Sequence, residues 1–541
     1  MVSPENVERR DGPAFAVLLT ALIALALALR AWKLGVWNFE ATEIFTLRDS
    51  LSPRLNNPRP LIYFLNYYLV RPLLPLDELG LRLLPAAFGV LAIPTFCLVA
   101  RRLVGTPAAL FGALLLSVSG FHVYYSQYAR YWTLVFLLSA IYPYAIYLGL
   151  RERNSRLLAL GLLTGLLAAL AHPVSVLLVG GLALWILATY LRRDQLTRLW
   201  SQRAVRWGAL VLVIIGGVVA ARFIPMLQGW VFEQDSKVLG GRAGGEFLLH
   251  LPARHGVKQI SYLLSYVNGV TLPVVLTGAA GIYMLWRSRD RSLALLLTCL
   301  IIVPAAFLVL LSFRTAVSTP YLLPTTPVFF IGAGVFLDRL SRFDWGLRPR
   351  WLLAATVTAI IMADGVPTLI SQYRDGRRYD FRSVARWLNE RTASDDVVFS
   401  DQSRVLAHYL PGKPVQRLVA DPDQLMQSVR VLHESGHGGA LWIVSPAPSH
   451  AFRTNPKLGS FKQWLYENCQ LRNTIGVSRL DFRQNQLQIF RCPPVTATER
   501  IRPASNIALA RPNPPADHAL QPRWNVRIGV PSYRKQIHPA G

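Results

Sequence analysis

The sequence predicts a polytopic α-helical membrane protein, with about 11–13 transmembrane helices at roughly 20 residues each, followed by a C-terminal soluble α/β domain. Three observations predict it. Hydrophobic residues make up 52% of the 541-residue chain and charged residues only 16%, with mean hydropathy +0.33; an ordinary soluble domain carries about 25% charge. The apolar residues are gathered into runs such as Phe15 to Ala31 and Ala209 to Ala221, which a bilayer core about 30 Å thick requires and water does not. The basic residues behind the formal charge of +27 fall largely in short gaps between those runs: Arg151, Arg153 and Arg156, then Arg192, Arg193, Arg198, Arg203 and Arg206, then Arg287, Arg289 and Arg291, then Arg339, Arg342, Arg348 and Arg350. That is the pattern of positive cytoplasmic loops beside anionic headgroups, and it argues against a nucleic-acid partner.

Taken in order, the apolar stretches run near 14–31, 59–76, 82–100, 106–121, 131–149, 156–171, 174–190, 207–223, 262–286, 293–312, 318–337 and 350–370. Arg9 and Arg10 precede the first; with no clean small-x-small cleavage site after it, it reads as an uncleaved helix. The basic gaps 191–206, 287–292 and 338–350 are expected in the cytoplasm, which puts 122–130, 172–173, 313–317 and everything after 371 outside. A cytoplasmic N-terminus also puts the loop 32–58 outside. An external C-terminus then needs an odd number of crossings, so one of the twelve stretches is misread, with 59–105, short and proline-broken, as the suspect region.

The chain divides into a membrane domain at 1–370, an external soluble domain at 371–495 and a loose Pro- and Arg-rich tail at 496–541. In the soluble part, Tyr379 to Arg391 reads as a helix with Phe381, Val384, Ala385, Trp387 and Leu388 on one face. Val397 to Phe399, Ala440 to Val444 and Gln486 to Phe490 read as strands. Helices alternating with strands imply a small α/β domain. Cys97 and Cys299 lie in apolar runs as packing residues; Cys469 and Cys492 can pair if their domain faces an oxidising compartment. No CxxC or HExxH spacing marks a metal site.

Polar residues in a lipid-soluble chain are the functional signal. The first external loop holds Glu40 and Glu43, three apart and therefore on one face of a helix, where they repel unless a proton, a cation or a basic partner offsets them. A solvated interfacial helix anchored by Trp37 and Phe45 is the plainer reading of the same residues. The next cluster is His122, Tyr125, Gln127 and Arg130; an aromatic belt explains its tyrosines but not Gln127. Arg59, at the mouth of the second stretch, can snorkel to the headgroups or hold a phosphate. Arg314 before Tyr321, and His172, complete the set. External carboxylates and arginines at one membrane face suit a phosphate held by Arg and a hydroxyl deprotonated by Glu.

Several segments resemble the membrane glycosyltransferases of the protein O-mannosyltransferase and lipid A aminoarabinose transferase type. Leu34-Gly35-Val36-Trp37 followed by Thr42-Glu43-Ile44-Phe45-Thr46 is similar to that family's LG…W-x-D-E-x-x-T segment. Arg59-Pro60-Leu61-Ile62-Tyr63 resembles its PPLYY segment, Leu81-Arg82-Leu83-Leu84-Pro85 its LRLPS stretch, and Ser126-Gln127-Tyr128-Ala129-Arg130 its SQ-x-AR signature. Pro320 to Pro327 resembles its RYLLPxxP segment, and Asp380-Phe381-Arg382 the start of its soluble domain. The resemblance implies a C-type (GT-C) glycosyltransferase that takes a sugar from a polyprenyl-phosphate donor and passes it to a glycan, lipid or protein acceptor in an inverting displacement. Glu43, with Glu40, is then the catalytic base. Arg59, Tyr63, Arg82, His122, Tyr125, Gln127, Arg130, His172, Arg314 and Tyr321 are the expected substrate-binding residues, and a divalent cation near the phosphate is an option.

Two departures bear on activity: Thr42 stands where the family has Asp, and Thr319-Pro320 where it has Arg. They leave room for a non-catalytic relative that only binds lipid-linked sugar. A transporter of lipid-linked saccharides is the other alternative; it would show internal repeats, and none is evident. The bacterial inner membrane, with the C-terminal domain periplasmic, is the expected location.

Overall fold

The computed structural model describes residues 12–190, 261–288, 290–313, 317–343, 351–419, 421–434, 439–447, 456–477 and 485–492. The apolar stretch at 207–223, the tail at 496–541 and Arg314 lie outside the described residues.

Among the described residues the membrane part contains helices and no strand. Its helices are α1 (Gly12–Ala31), α2 (Ala41–Leu51), α3 (Pro60–Leu65, continued by a π turn at Asn66–Val70), α4 (Glu78–Val104), α5 (Thr106–Val118), α6 (Gly120–Ser126), α7 (Trp132–Ser139), α8 (Tyr142–Arg151), α9 (Ser155–Ala171), α10 (Leu177–Tyr190), α11 (Ser261–Val270), α12 (Leu272–Trp286), α13 (Arg291–Ser312), α14 (Thr326–Arg342) and α15 (Trp351–Asp375). Among the described residues, seven spans are long and apolar enough to cross a membrane, and two pairs, α5 with α6 and α11 with α12, qualify if each is one span bent by 60° and 86°. Two apolar helices are shorter: Pro60–Val70 and α9. At 1.5 Å per residue the first of these is about 16 Å long, roughly half the hydrocarbon thickness, so the stretch read at 59–76 does not cross. The expected proline breaks further along do not occur: α4 carries Pro85 and Pro94 inside 27 continuous helical residues.

Close helix crossings depend on glycine. A Cβ at Gly281 of α12 would lie 1.8 Å from the Gly332 carbonyl oxygen of α14, and one at Gly332 would lie 2.2 Å from the Gly278 carbonyl oxygen. Lipid offers no hydrophobic drive for helices to associate, so this backbone contact supplies the van der Waals gain.

The soluble domain is a five-stranded sheet ordered β2-β1-β3-β5-β4, with β1 (Val397–Ser400), β2 (Val415–Arg417), β3 (Leu441–Pro446), β4 (Gln470–Val477) and β5 (Asn485–Cys492). β1 is parallel to both β2 and β3, while β5 runs antiparallel to β3 and β4. Strand side chains alternate between two layers. Val398, Trp442, Val444, Leu487 and Ile489 face Phe381, Val384 and Leu388 of α16 (Phe381–Asn389) and Val405 and Leu406 of α17 (Ser403–Tyr409). Val397, Phe399, Leu441, Ile443 and Phe490 face Leu425 of α18 (Pro422–Glu434) and Phe461, Trp464 and Leu465 of α19 (Pro456–Asn468). Cys469 and Cys492 form the disulfide that an oxidising compartment permits. The sequence reading placed β1, β3 and β5 and missed β2 and β4.

This domain docks on the first loop. Ala41 and Ile44 of α2 pack against the α16–α17 layer. Phe39 N donates to the Tyr409 hydroxyl at 2.6 Å, and that hydroxyl donates to Glu78 Oε1 at 2.5 Å. Arg382 ion-pairs with the same Glu78 oxygen at 2.5 Å.

Candidate functional site

The site is built around α2. Its first turn sets two carboxylates at different heights: Glu40 is the N-cap residue and Glu43 the third residue of the helix. Instead of repelling Glu40, the Glu43 carboxylate turns back and accepts the Glu40 backbone N–H at 2.9 Å, as a capping box does.

Glu43 is fully buried and surrounded by donors. Arg82 of α4, itself fully buried, donates Nε to Oε1 at 3.0 Å and Nη2 to Oε2 at 2.9 Å. Ala129 N donates to Oε1 at 2.7 Å, and Arg378 Nη2 reaches the same oxygen at 3.3 Å. Arg82 spends its other N–H groups on the carbonyls of Leu34, Trp37 and Asn38 at 3.3, 2.6 and 3.0 Å. Burial alone would raise the Glu43 carboxyl; Arg378, Arg82 and the Ala129 N–H overcome it and hold the group at about 2. A carboxylate with its lone pairs occupied and so low a proton affinity is an anchor. Glu43 and Arg82 hold one another and fix the first turn of α2 against α4.

Arg378 arrives from the end of α15. Gly376 and Arg377 adopt left-handed backbone (φ +63° and +56°), and Gly376 packs so close to Trp37 that a Cβ there would meet the indole at 2.5 Å. Only glycine tolerates both conditions without strain. The turn throws Arg378 back into the bundle, where burial would lower its guanidinium, yet Glu43 and Glu40 raise it above its ordinary value.

Glu40 stands in a different setting. It is half-buried, and its Oε2 accepts from the Tyr124 hydroxyl at 3.3 Å. The Thr42 and Tyr128 hydroxyls are hydrogen-bonded beside it. Burial raises the Glu40 carboxyl; Arg378 opposes this, the Glu43 charge adds to it, and the Tyr128 and Tyr124 hydroxyls oppose it, with a net rise.

A second group adjoins the first through Arg130, whose Nη1 donates to the Thr42 carbonyl at 3.0 Å and Nη2 to the Tyr131 hydroxyl at 2.9 Å. The Arg59 guanidinium lies 5.2 Å from the Tyr131 ring, and its Nε is buried with no partner among the described residues. Neither Arg59 nor Arg130 forms an ion pair among the described residues. Tyr63 stands within electrostatic reach of both. His172 closes the group, stacked at a tilt on Tyr131 and Trp132 (4.7 and 4.8 Å) and 5.8 Å from Tyr321. Tyr125 packs edge-on against Trp132 at 6.3 Å. The Arg59 and Arg130 guanidiniums thus flank the same Tyr131 ring, at 5.2 and 4.8 Å.

Two further expected ligands pack toward α1. Gln127 is fully buried; its Nε2 donates to the Arg30 and Trp32 carbonyls at 3.1 and 2.8 Å, and its Oε1 accepts from Gln372 of α15 at 2.8 Å. His122 shares Nδ1 with Arg30 at 2.8 Å behind α6. Both tie α1 to its neighbours, and the Gln127 carbonyl accepts from Arg378 Nη2 at 3.1 Å, next to the Glu43 group. Arg378 and the hydroxyls of Tyr124 and Tyr128 were missed as site residues, although Gly376 just past an apolar helix is a legible helix stop. Among the described residues, no three His, Cys, Asp or Glu side chains gather as metal ligands. With Glu43 consumed by arginines, these residues do not fit a bound cation.

No protein-family model matches the sequence, and no curated protein matches it. Solved structures match its fold. The chain is 15% identical to ArnT from Cupriavidus metallidurans bound to undecaprenyl phosphate, with TM-score 0.52, covering 88% of this chain and 97% of that one. It is 14% identical to the oligosaccharyltransferase AglB from Archaeoglobus fulgidus in complex with an inhibitory peptide and a dolichol-phosphate, with TM-score 0.51, covering 84% of this chain and 71% of that one. The apo form of the Archaeoglobus enzyme gives TM-score 0.53 at 12% identity, over 88% and 76%. ArnT and AglB match about equally. This chain is a multi-pass membrane protein with a soluble C-terminal domain, built on the GT-C fold that both share.

Proposed function

We propose that the protein transfers a sugar from a polyprenyl-phosphate donor to an acceptor hydroxyl at the external face of the membrane, with Glu40 as the base. The observation that carries this is the pair Arg59 and Arg130, without carboxylate partners among the described residues, joined through the Thr42 carbonyl to the loop that bears Glu40. The ligands bound in the two matching structures, undecaprenyl phosphate and dolichol-phosphate, are of the class such a site would hold. The bacterial inner membrane is the location this reading favours.

The acceptor oxygen attacks the anomeric carbon as the carbon–oxygen bond to the phosphate breaks. The electron pair leaves on the phosphate oxygen, where Arg59 and Arg130 stabilise it. The acceptor proton passes to Glu40, whose raised carboxyl is a better base than an ordinary one. One displacement inverts the anomeric centre. Glu43 holds Arg82, Arg378 and the first turn of α2 in place.

The Thr42 departure favours a second reading, a relative that binds the donor without transferring it. A transfer assay in nanodiscs with radiolabelled polyprenyl-phosphate sugars and membrane extract decides between them. Transfer by the wild type that falls about 100-fold or more in Glu40→Gln, with donor binding kept, supports the base. Saturable donor binding with no transfer supports the non-catalytic reading, and full activity in Glu40→Gln overturns the assignment.

A further inference from the structure

The helix that leads into the soluble domain carries a carboxylate that no described residue meets. α15 is 25 residues long and apolar enough to cross the bilayer. Trp351, 60% exposed, is its first residue; near its other end Lys33 donates to the Tyr373 carbonyl at 3.0 Å. Trp and Tyr so placed mark the two interfaces of a bilayer. Asp364 lies 13 residues from Trp351 and 9 from Tyr373, about 20 Å and about 14 Å along the axis. That is close to the middle of a hydrocarbon core about 30 Å thick.

One arc of α15 packs inward, with Ala354, Thr358, Ile361, Gly365 and Gln372 buried. Asp364 stands on the arc left over, exposed between Ile360 and Ile370, which are 60% and 61% exposed. It forms no hydrogen bond or ion pair among the described residues. Lipid tails offer it neither water nor a donor. Its single methylene is too short to carry the charge to either headgroup layer, as a long side chain can. A second acceptor lies beside it. Pro367 sits inside the helix and has no N–H to give the carbonyl four residues back, that of exposed Ala363. Ala359 and Ala363, on the same arc, let another backbone approach closely.

Two acceptors at mid-bilayer are complementary to an ammonium or a guanidinium at the same depth. A lysine or arginine at the centre of another span carries the same desolvation penalty, and pairing relieves both. A second copy does not present one among the described residues: the arginines of the described spans lie toward helix ends, as Arg30, Arg101 and Arg342 do. We propose that this arc of α15 docks a membrane-spanning helix of a partner protein, whose lysine or arginine at the bilayer midplane pairs with Asp364 and the Ala363 carbonyl. The inference does not rest on the transfer reading.

The probe is a synthetic single-span peptide, a leucine helix with one central lysine. It is added to the full chain in phosphatidylcholine vesicles, and energy transfer between labels on the two reads association. Association is expected to be about tenfold tighter than for the same peptide with leucine or glutamate at its centre. Asp364→Leu should lose that margin, with its melting temperature unchanged or raised. Equal association of the three peptides, or a lysine preference that survives Asp364→Leu, overturns the site. A lowered melting temperature in Asp364→Leu, with no lysine preference in the wild type, gives the carboxylate a partner within this chain and also overturns it. Energy transfer between two copies of the wild type that Asp364→Leu abolishes replaces the foreign helix with a second copy and overturns the proposal as well.

Discussion

Glu40 and Glu43 are the same side chain three residues apart, and the fold uses them in opposite ways. Glu43 is enclosed by Arg82, Arg378, Ala129 N and Glu40 N, with its carboxyl held at about 2. Glu40 is half-buried, touched by tyrosine hydroxyls, with its carboxyl raised. The same division separates Arg82, whose N–H groups meet a carboxylate and three carbonyls, from Arg59, whose buried Nε meets none of the described residues. Where polar groups in a membrane protein satisfy one another they hold shape; where they are left open they mark where a ligand supplies the missing partner.

The largest effect expected from this contrast is on folding. Arg82→Met leaves the Glu43 charge buried with only Arg378 to balance it, and breaking a buried pair from one side costs about 3–5 kcal/mol. Loss of folded protein in a thermal unfolding assay in detergent is the expected outcome, and a stable, active Arg82→Met would end the anchor reading. The anchor also carries a pH signature. Its folded carboxyl is depressed below the ordinary value of 4.5, so its stabilisation is complete above that value and is lost as pH falls toward about 2. The acid-unfolding midpoint of Glu43→Gln should lose this dependence.

Next in size is the anion pair. Arg59→Ala removes one charge-assisted contact, worth about 1.5–3 kcal/mol, and should weaken binding of polyprenyl phosphate by about 10- to 100-fold without changing the melting temperature. Equal affinity in the variant, measured by titration in nanodiscs, would mean that the open guanidinium has some other use.

Much of this was legible beforehand. The apolar runs, the α16 helix with its face of Phe381, Val384 and Leu388, and the strands β1, β3 and β5 follow from periodicity that a sequence carries locally. β2 has three residues, too few to show a period, and in β4 the apolar alternation of Leu471, Ile475 and Val477 is interrupted at Asn473. The site was half legible for a related reason. A buried arginine in an apolar helix announces a function but not its partner. The Arg82–Glu43 contact spans 39 residues and the Arg378–Glu43 contact 335, separations that no local pattern reveals. The Glu40–Glu43 spacing called for a proton, a cation or a basic partner to offset the two charges, and Arg82 and Arg378 are such partners for Glu43.

The smallest effect tests the Glu40 environment itself. The Tyr124 hydroxyl donates to Glu40 Oε2 at 3.3 Å, and a donor stabilises the charged form, so it holds the raised carboxyl down. Tyr124→Phe removes that donor and leaves the ring, which packs at 5.4 Å on Tyr128. A hydrogen bond worth about 0.5–1.5 kcal/mol corresponds to a shift of roughly 0.4–1 pH unit. If Glu40 must be ionised to take the acceptor proton, turnover falls as pH drops through its carboxyl range, and in Tyr124→Phe that acidic limb should move to higher pH by this amount. Turnover at a pH well above the limb should stay within a few-fold of wild type, since the base is then ionised in both. An acidic limb that stays in place, or one that survives unchanged in Glu40→Gln, would assign the titration to another group and leave Glu40 as a residue of the loop alone.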